Sequence, residues 1–220
     1  MAKIFLATQT YAGVELPFML SLDAASHTTK HTLFLWTQRR FADLSYLRNT
    51  AISQFLRTSG FDYYCQLDCD LILGNTQDGD NVFDKLVAAH VDFVTGLYAN
   101  RTLPGMMSAS CPLYDLPITP TSGLVELRWA GGGCWMIRRD VIERMAVAYP
   151  ETAYDSPDGI CYGLADNFIL KMHDGQRRWL SEDYAFSERF RRTGGRIWAD
   201  TSVSLGHVGT KEMWLWPRKA

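Results

Sequence analysis

The chain has 220 residues, 47% of them hydrophobic and 21% charged, a balance that excludes a disordered polymer and suits one domain spanning residues 1–220. Its formal net charge of −2 excludes a global positive field for nucleic acid or an anionic membrane, so any such binding needs a local patch. The first apolar run, Ile4 to Ala7, is too short for a secretion signal and no later run reaches membrane-spanning length, so a cytoplasmic protein is expected.

Ile4 to Ala7 reads as a first strand that empties into the polar loop Thr8-Gln9-Thr10-Tyr11-Ala12-Gly13. A helix is expected from Leu16 to Ala25, then a strand from Thr32 to Trp36, where β-branched and aromatic residues favour extended pairing. Leu44, Leu47, Ala51, Ile52, Phe55 and Leu56 recur at three- and four-residue intervals, the mark of an amphipathic helix that ends near Ser59-Gly60. Tyr63 to Leu67 is the next strand, followed by a helix from Val82 to Ala89 and a strand from Asp92 to Leu97. Met106 to Arg128 is proline-rich and is expected to hold a hairpin. Ala130-Gly131-Gly132-Gly133 opens a strand through Ile137, and Asp140 is expected to cap a helix running to Ala148. Pro150 to Ser181 reads as irregular, with room for a mobile loop. A helix from Glu182 to Arg192 is stopped by Gly194-Gly195, and the last strands run through Asp200 and His207 to Trp216. Strands alternating with helices predict an α/β domain with a mixed, mostly parallel central sheet flanked by helices.

Five cysteines, at 65, 69, 111, 134 and 161, are an odd number spread along the chain, and they read as reduced thiols. Cys65 and Cys69 lack the spacing of a zinc knuckle. Asp68 and Asp70 are more informative. Two carboxylates at i and i+2 beyond a buried strand suit a hard divalent cation, while a solvated acidic turn is the plain alternative. His207, between Gly206 and Gly209, either completes such a metal shell or is a hydrogen-bonded histidine in a turn; with an imidazole the site favours manganese over magnesium. Ser181-Glu182-Asp183 has the look of a helix N-cap followed by acids that favour the helix dipole, and one of those acids is also a candidate general base. The triglycine suits a hairpin or bulge, or backbone amides brought close to a sugar or phosphate. Arg48 and Lys211 are each either solvated or within reach of a diphosphate.

As an ordered set, Thr8-Gln9-Thr10-Tyr11, Arg48-Asn49, Leu67-Asp68-Cys69-Asp70, the triglycine, Ser181 to Phe186 and Leu205-Gly206-His207-Val208-Gly209 resemble the GT-A glycosyltransferases, with their Rossmann-like domain. The likeness is to small bacterial and phage forms, with some similarity to the Anp1/Mnn9 group. It implies a DxD metal motif at Asp68 and Asp70, with His207 as a late ligand for Mn2+ or Mg2+. It also implies a nucleoside-diphosphate sugar, UDP-sugar favoured, with Thr8 and Tyr11 beside the base, Arg48 and Lys211 near the phosphates and Gly132 and Gly133 beside the sugar. Residues 1–100 would form the nucleotide-sugar side and 101–220 the acceptor side, where Glu182 or Asp183 would act. The acceptor hydroxyl implied is that of a saccharide, a protein or a hydroxymethylated pyrimidine in phage DNA. For DNA, the pairs Arg39-Arg40, Arg138-Arg139, Arg177-Arg178 and Arg191-Arg192 could supply phosphate contacts. A sugar-phosphate nucleotidyltransferase is the nearest rival, but it should carry a basic, glycine-rich loop after its first strand, and Thr8 to Gly13 has one glycine and no lysine or arginine. A non-catalytic sugar-binding module is the third reading.

Overall fold

The computed structural model describes residues 1–10, 13–39, 43–74, 76, 79–101, 107, 110–113, 118–119, 122–209 and 212–214. Tyr11, Lys211 and Trp216 lie outside them. The chain opens with β1 (Lys3–Thr10), α1 (Leu16–Thr28) and β2 (Thr32–Arg39). Then come α2 (Leu44–Arg57), β3 (Tyr63–Leu67), the short β4 (Leu71–Ile72) and α3 (Val82–Ala88). β5 (Phe93–Tyr98), β6 (Cys111–Pro112), β7 (Leu124–Trp129), β8 (Cys134–Arg138) and α4 (Arg139–Ala148) follow. The rest comprises β9 (Ala153–Ser156), β10 (Gly159–Tyr162), β11 (Phe168–Lys171), β12 (Arg177–Leu180), α5 (Glu182–Arg192), β13 (Ile197–Val208) and β14 (Glu212–Trp214).

Among the described residues, ten strands form one sheet of main order β2-β1-β3-β8-β5-β13-β7-β6, with β4 and β14 paired to the far part of β13. β2, β1, β3, β5 and β13 point one way, and β8 and β7 run against them. The expected mixed α/β architecture is therefore the one observed. Alternation along β1 shows why it forms: Ile4 and Leu6 pack with Phe18 and Leu22 of α1 and Phe83 and Leu86 of α3. Phe5 and Ala7 point the other way, toward Ile52 and Phe55 of α2, Val141 of α4 and Phe186 of α5. With helices on both faces, every β1 residue after Lys3 is buried, and each large apolar side chain so placed contributes about 1.5–3 kcal/mol.

Three expectations need correction. Residues 150–181 are ordered as two antiparallel hairpins, β9–β10 and β11–β12, after a single 3-10 turn at Pro150–Thr152. Asp140 does not cap α4, because β8 runs straight into the helix and Arg138 holds the N-cap position. Asp140 lies in the first turn, accepting from Arg144 Nη1 at 2.8 Å. Ser181 holds the N-cap position of α5 without a capping bond; its hydroxyl donates to the Asp183 carboxylate instead. All five cysteines are free. No described helix is long and apolar enough to cross a membrane.

Candidate active site at the sheet edge

Parallel strands place their C-terminal ends on one edge of a sheet, where ligands of open α/β folds bind. Here Thr8 lies near the end of β1, Asp68 follows β3, and Tyr98 to Arg101 ends and follows β5. The antiparallel β8 brings its entry, Gly131 to Gly133, to the same edge, where Asp68 N–H donates to the Gly133 carbonyl at 2.9 Å. His207 arrives on β13 opposite Leu71 of β4, and Val208 N–H donates to the Asp70 carbonyl at 2.8 Å. His207 is thus a strand residue, only 6% exposed, and not a turn residue. Gly206 is needed for packing rather than for a turn: a Cβ there would lie 2.7 Å from the Trp214 ring and 3.0 Å from Ile72 Cβ.

Arg48 forms the buried centre of one half of the site. It lies on the inner face of α2, 2% exposed, with its guanidinium 5.2 Å from the Trp135 ring centroid. Nη2 is 3.5 Å from Asp68 Oδ1, and Nη1 is 3.5 Å from Glu182 Oε1. Gly132 makes this possible, since a Cβ at that position would collide with the guanidinium. Burial opposes the charge on Arg48, yet the surrounding Asp68, Glu182 and Asp183 outweigh it and hold the group above its ordinary value. Burial pushes the Asp68 carboxyl up against the pull of Arg48, with Asp183 and Glu182 adding repulsion. Glu182 is likewise raised by burial, opposed by Arg48. Asp183 accepts from Gly132 N–H at 3.1 Å and Tyr184 N–H at 2.8 Å, as well as from Ser181. Gly133 N–H donates to the Tyr98 hydroxyl at 2.8 Å. The amides of Gly132 and Gly133, expected to face a sugar or phosphate, are therefore committed to Asp183 and Tyr98.

Asp70 and His207 form the other half. A carbonyl can only accept, so the 2.8 Å contact between His207 Nδ1 and the Ala99 carbonyl fixes the proton on Nδ1 and leaves a lone pair on Nε2. Burial lowers the imidazole's proton affinity, opposed by the Ala99 bond and aided by Arg101. Nε2 is 3.5 Å from Asp70 Oδ2, and Asp70 Oδ1 is buried with no hydrogen-bond partner. Arg101, which the sequence did not single out, donates from Nε to His207 Nε2 at 2.9 Å and from Nη2 to Asp70 Oδ2. Its only sequence signal is a cation just past the end of β5.

The i, i+2 spacing was expected to aim Asp68 and Asp70 at one cation. Instead a turn closed by Leu71 N–H to the Asp68 carbonyl, at 3.2 Å, separates them, and they take different partners, Arg48 and Arg101. Among the described residues no three His, Cys, Asp or Glu side chains form a cluster able to hold a metal as they stand. The donor chemistry nevertheless suits one: a neutral imidazole whose unprotonated Nε2 carries a lone pair, held for now by Arg101, and a carboxylate with an unpartnered oxygen. Thr8 is 2% exposed, and its hydroxyl also has no partner. Of the arginine pairs, Arg138 and Arg192 bind acids, Arg139 binds the carbonyls of Phe55, Thr58 and Phe61, and Arg191 binds Glu126. Arg40 lies outside the described residues, and Arg178 lies over the Trp129 ring. Arg177 is exposed on β12 and pairs with no acid among the described residues.

No protein-family model matches the sequence, and neither does any curated protein. Solved structures do match. A197 from STIV superposes with a TM-score of 0.59 at 19% identity, over 100% of this chain and 97% of that one. The two share a fold along their whole length. Weaker likenesses are UDP-glucose pyrophosphorylase complexed with UDP-glucose (TM-score 0.48, 9% identity, 91% of this chain and 90% of that one) and a glycosyltransferase involved in the glycosylation of the major capsid of PBCV-1 (TM-score 0.34, 9% identity, 67% and 65%). At these values they add nothing to the argument for this chain's chemistry.

Proposed function

We propose that this chain is a metal-dependent glycosyltransferase that moves a hexosyl or pentosyl group from a nucleoside-diphosphate sugar, a UDP-sugar in the first instance, to an acceptor hydroxyl. The observation that carries the reading is the half-satisfied donor set at the sheet edge: Asp70 with an unpartnered buried oxygen beside a neutral His207 whose unprotonated Nε2 faces it. Asp70 and His207, with Asp68 beside them, would hold a divalent cation such as Mn2+. Such a cation, when bound, offsets negative charge on the diphosphate of the departing nucleotide.

The chain's own residues divide the remaining tasks. Thr8, buried near the end of β1 with an unused hydroxyl, supports a nucleotide contact on that side. Arg48 is a scaffold rather than a phosphate ligand, because the protein's own carboxylates surround its guanidinium. Glu182 is the better candidate for the base that takes the acceptor's proton: burial raises its carboxyl, whereas both oxygens of Asp183 already accept hydrogen bonds. Asp183 instead fixes the Gly132 backbone. Acceptors would approach over β11–β12, whose outward residues Ile169, Lys171, Arg177 and Trp179 lead directly into Glu182. That mixed apolar and basic face supports a saccharide or a nucleic-acid hydroxyl.

The test is a thermal-shift and transfer panel of UDP, GDP, CDP and TDP and their sugars with Mn2+, since a ligand selective for the native state raises its melting temperature. Asp70→Asn should abolish metal-dependent nucleotide binding, and Glu182→Gln should lower transfer at least 100-fold with donor affinity kept. Full transfer by Asp70→Asn, or in excess chelator, refutes the reading. Offering saccharides, hydroxymethylated duplex DNA and plain DNA at two salt concentrations identifies the acceptor, because phosphate contacts make DNA transfer salt-sensitive.

A further inference from the structure

We propose that Arg101 is a resident counter-cation that occupies the divalent ion's seat when no ion is bound and thereby sets the protein's affinity for the ion. This rests on the metal site proposed above. The two atoms Arg101 holds are His207 Nε2 and Asp70 Oδ2, the donors that face each other across 3.5 Å. His207 has no other lone pair in the ring, because Nδ1 carries the proton given to the Ala99 carbonyl. One lone pair cannot accept an N–H from Arg101 and bind an ion at once. Arg101 and the ion therefore exclude each other.

The charges explain why a guanidinium rests there. Asp68, Asp70, Glu182 and Asp183 converge on this edge, and Arg48 answers only some of them, standing 3.5 Å from Asp68 and Glu182. Leaving Asp70 and its neighbours without a cation would cost electrostatic free energy in a partly buried setting. Arg101 offsets it with one planar group that spans two acceptors, a geometry lysine cannot match. It is also built to leave. Its side chain is 57% exposed, whereas that of Asp70 is 13% exposed and that of His207 is 8% exposed, so the seat is fixed and its occupant is not. Asp70 Oδ1 stays unpartnered while Arg101 is in place, so the guanidinium satisfies only part of the site. A doubly charged ion answers the carboxylates more fully. Arg101 thus raises the concentration of free ion that the site needs before it fills.

Calorimetric titration of Mn2+, without nucleotide, into the full chain and its Arg101→Ala and Arg101→Lys variants tests this. Removing the competitor should tighten Mn2+ binding about tenfold in Arg101→Ala. Arg101→Lys, with a single-point ammonium, should fall between. The metal-free Arg101→Ala protein should also melt below the wild type, and added Mn2+ should close that gap. Equal or weaker Mn2+ binding by both variants, with measurable binding by the wild type, overturns this inference alone. If no protein binds Mn2+, including Arg101→Ala, the metal reading and this inference fail together.

Discussion

Two charged clusters in this fold use the same residue types to opposite ends. At the junction of β7, α5 and β13, Glu126 receives Arg196 Nη2 at 2.6 Å, Arg196 Nε at 3.1 Å and Arg191 Nη1 at 3.2 Å. The Arg196 hydrogen bonds hold its carboxyl below the usual range, against burial and with further help from Arg191. At the candidate site the acids outnumber the cations, burial raises Asp68 and Glu182, and Arg48 Nε, Arg48 Nη1 and Asp70 Oδ1 lack hydrogen-bond partners. The first cluster is complete in itself and stabilises the fold. The second is left unfinished at the edge where ligands of such folds bind, which is how a site differs from a structural ion pair.

That contrast can be broken most severely at Arg48. Arg48→Met should leave the half-buried Asp68 and Glu182 without their buried cation and cost up to about 3–5 kcal/mol, read as a lowered urea midpoint. A near-neutral result would mean that the acids are protonated or hydrated without it, and the two clusters would no longer differ in kind. A middle-sized effect is expected at the complete cluster. Glu126→Gln should cost about 1–3 kcal/mol at neutral pH, since it weakens charge-assisted bonds to one largely exposed and one partly buried arginine. Because the folded carboxyl lies below its unfolded value of about 4.3, its share of stability is present above that pH. It is lost as pH falls through the folded value. Stability of wild type and Glu126→Gln should therefore converge in acid, and a constant difference down to pH 2 would refute the assignment. The smallest effect belongs to Ser181. Since its hydroxyl serves Asp183 and no backbone amide of α5, Ser181→Ala should cost less than about 1 kcal/mol while lowering transfer through the misplaced Asp183. A larger loss of stability without loss of transfer would restore the capping role.

Most of the sheet was legible because its central strands are buried on both faces and read as apolar runs, as Ile4 to Ala7 and Tyr63 to Leu67 do. The hairpins of residues 153–180 were not, since four-residue strands with one exposed face leave too little periodicity to detect. Arg48 could have been placed better: it stands four residues before Ile52 and seven before Phe55, on the same buried helical face, which argues against a solvated side chain. The flanking glycines misdirected the reading of His207, for Gly206 answers to the Trp214 ring. Arg101 was beyond sequence reasoning, since nothing local announces a contact with residues 31 and 106 positions away.

The place of β13 also bears on how the protein is made. This strand pairs with β5, β7, β4 and β14, so a segment from near the end of the sequence fills the middle of the sheet. During synthesis β5 and β7 wait for their common neighbour, with one edge each unpaired and apolar surface uncovered. At about 5–20 residues per second, that wait is several seconds long. Asp70 and His207 meet only when this strand is inserted, so a nascent chain stalled short of it would carry Arg48 with its acids but Asp70 without its histidine.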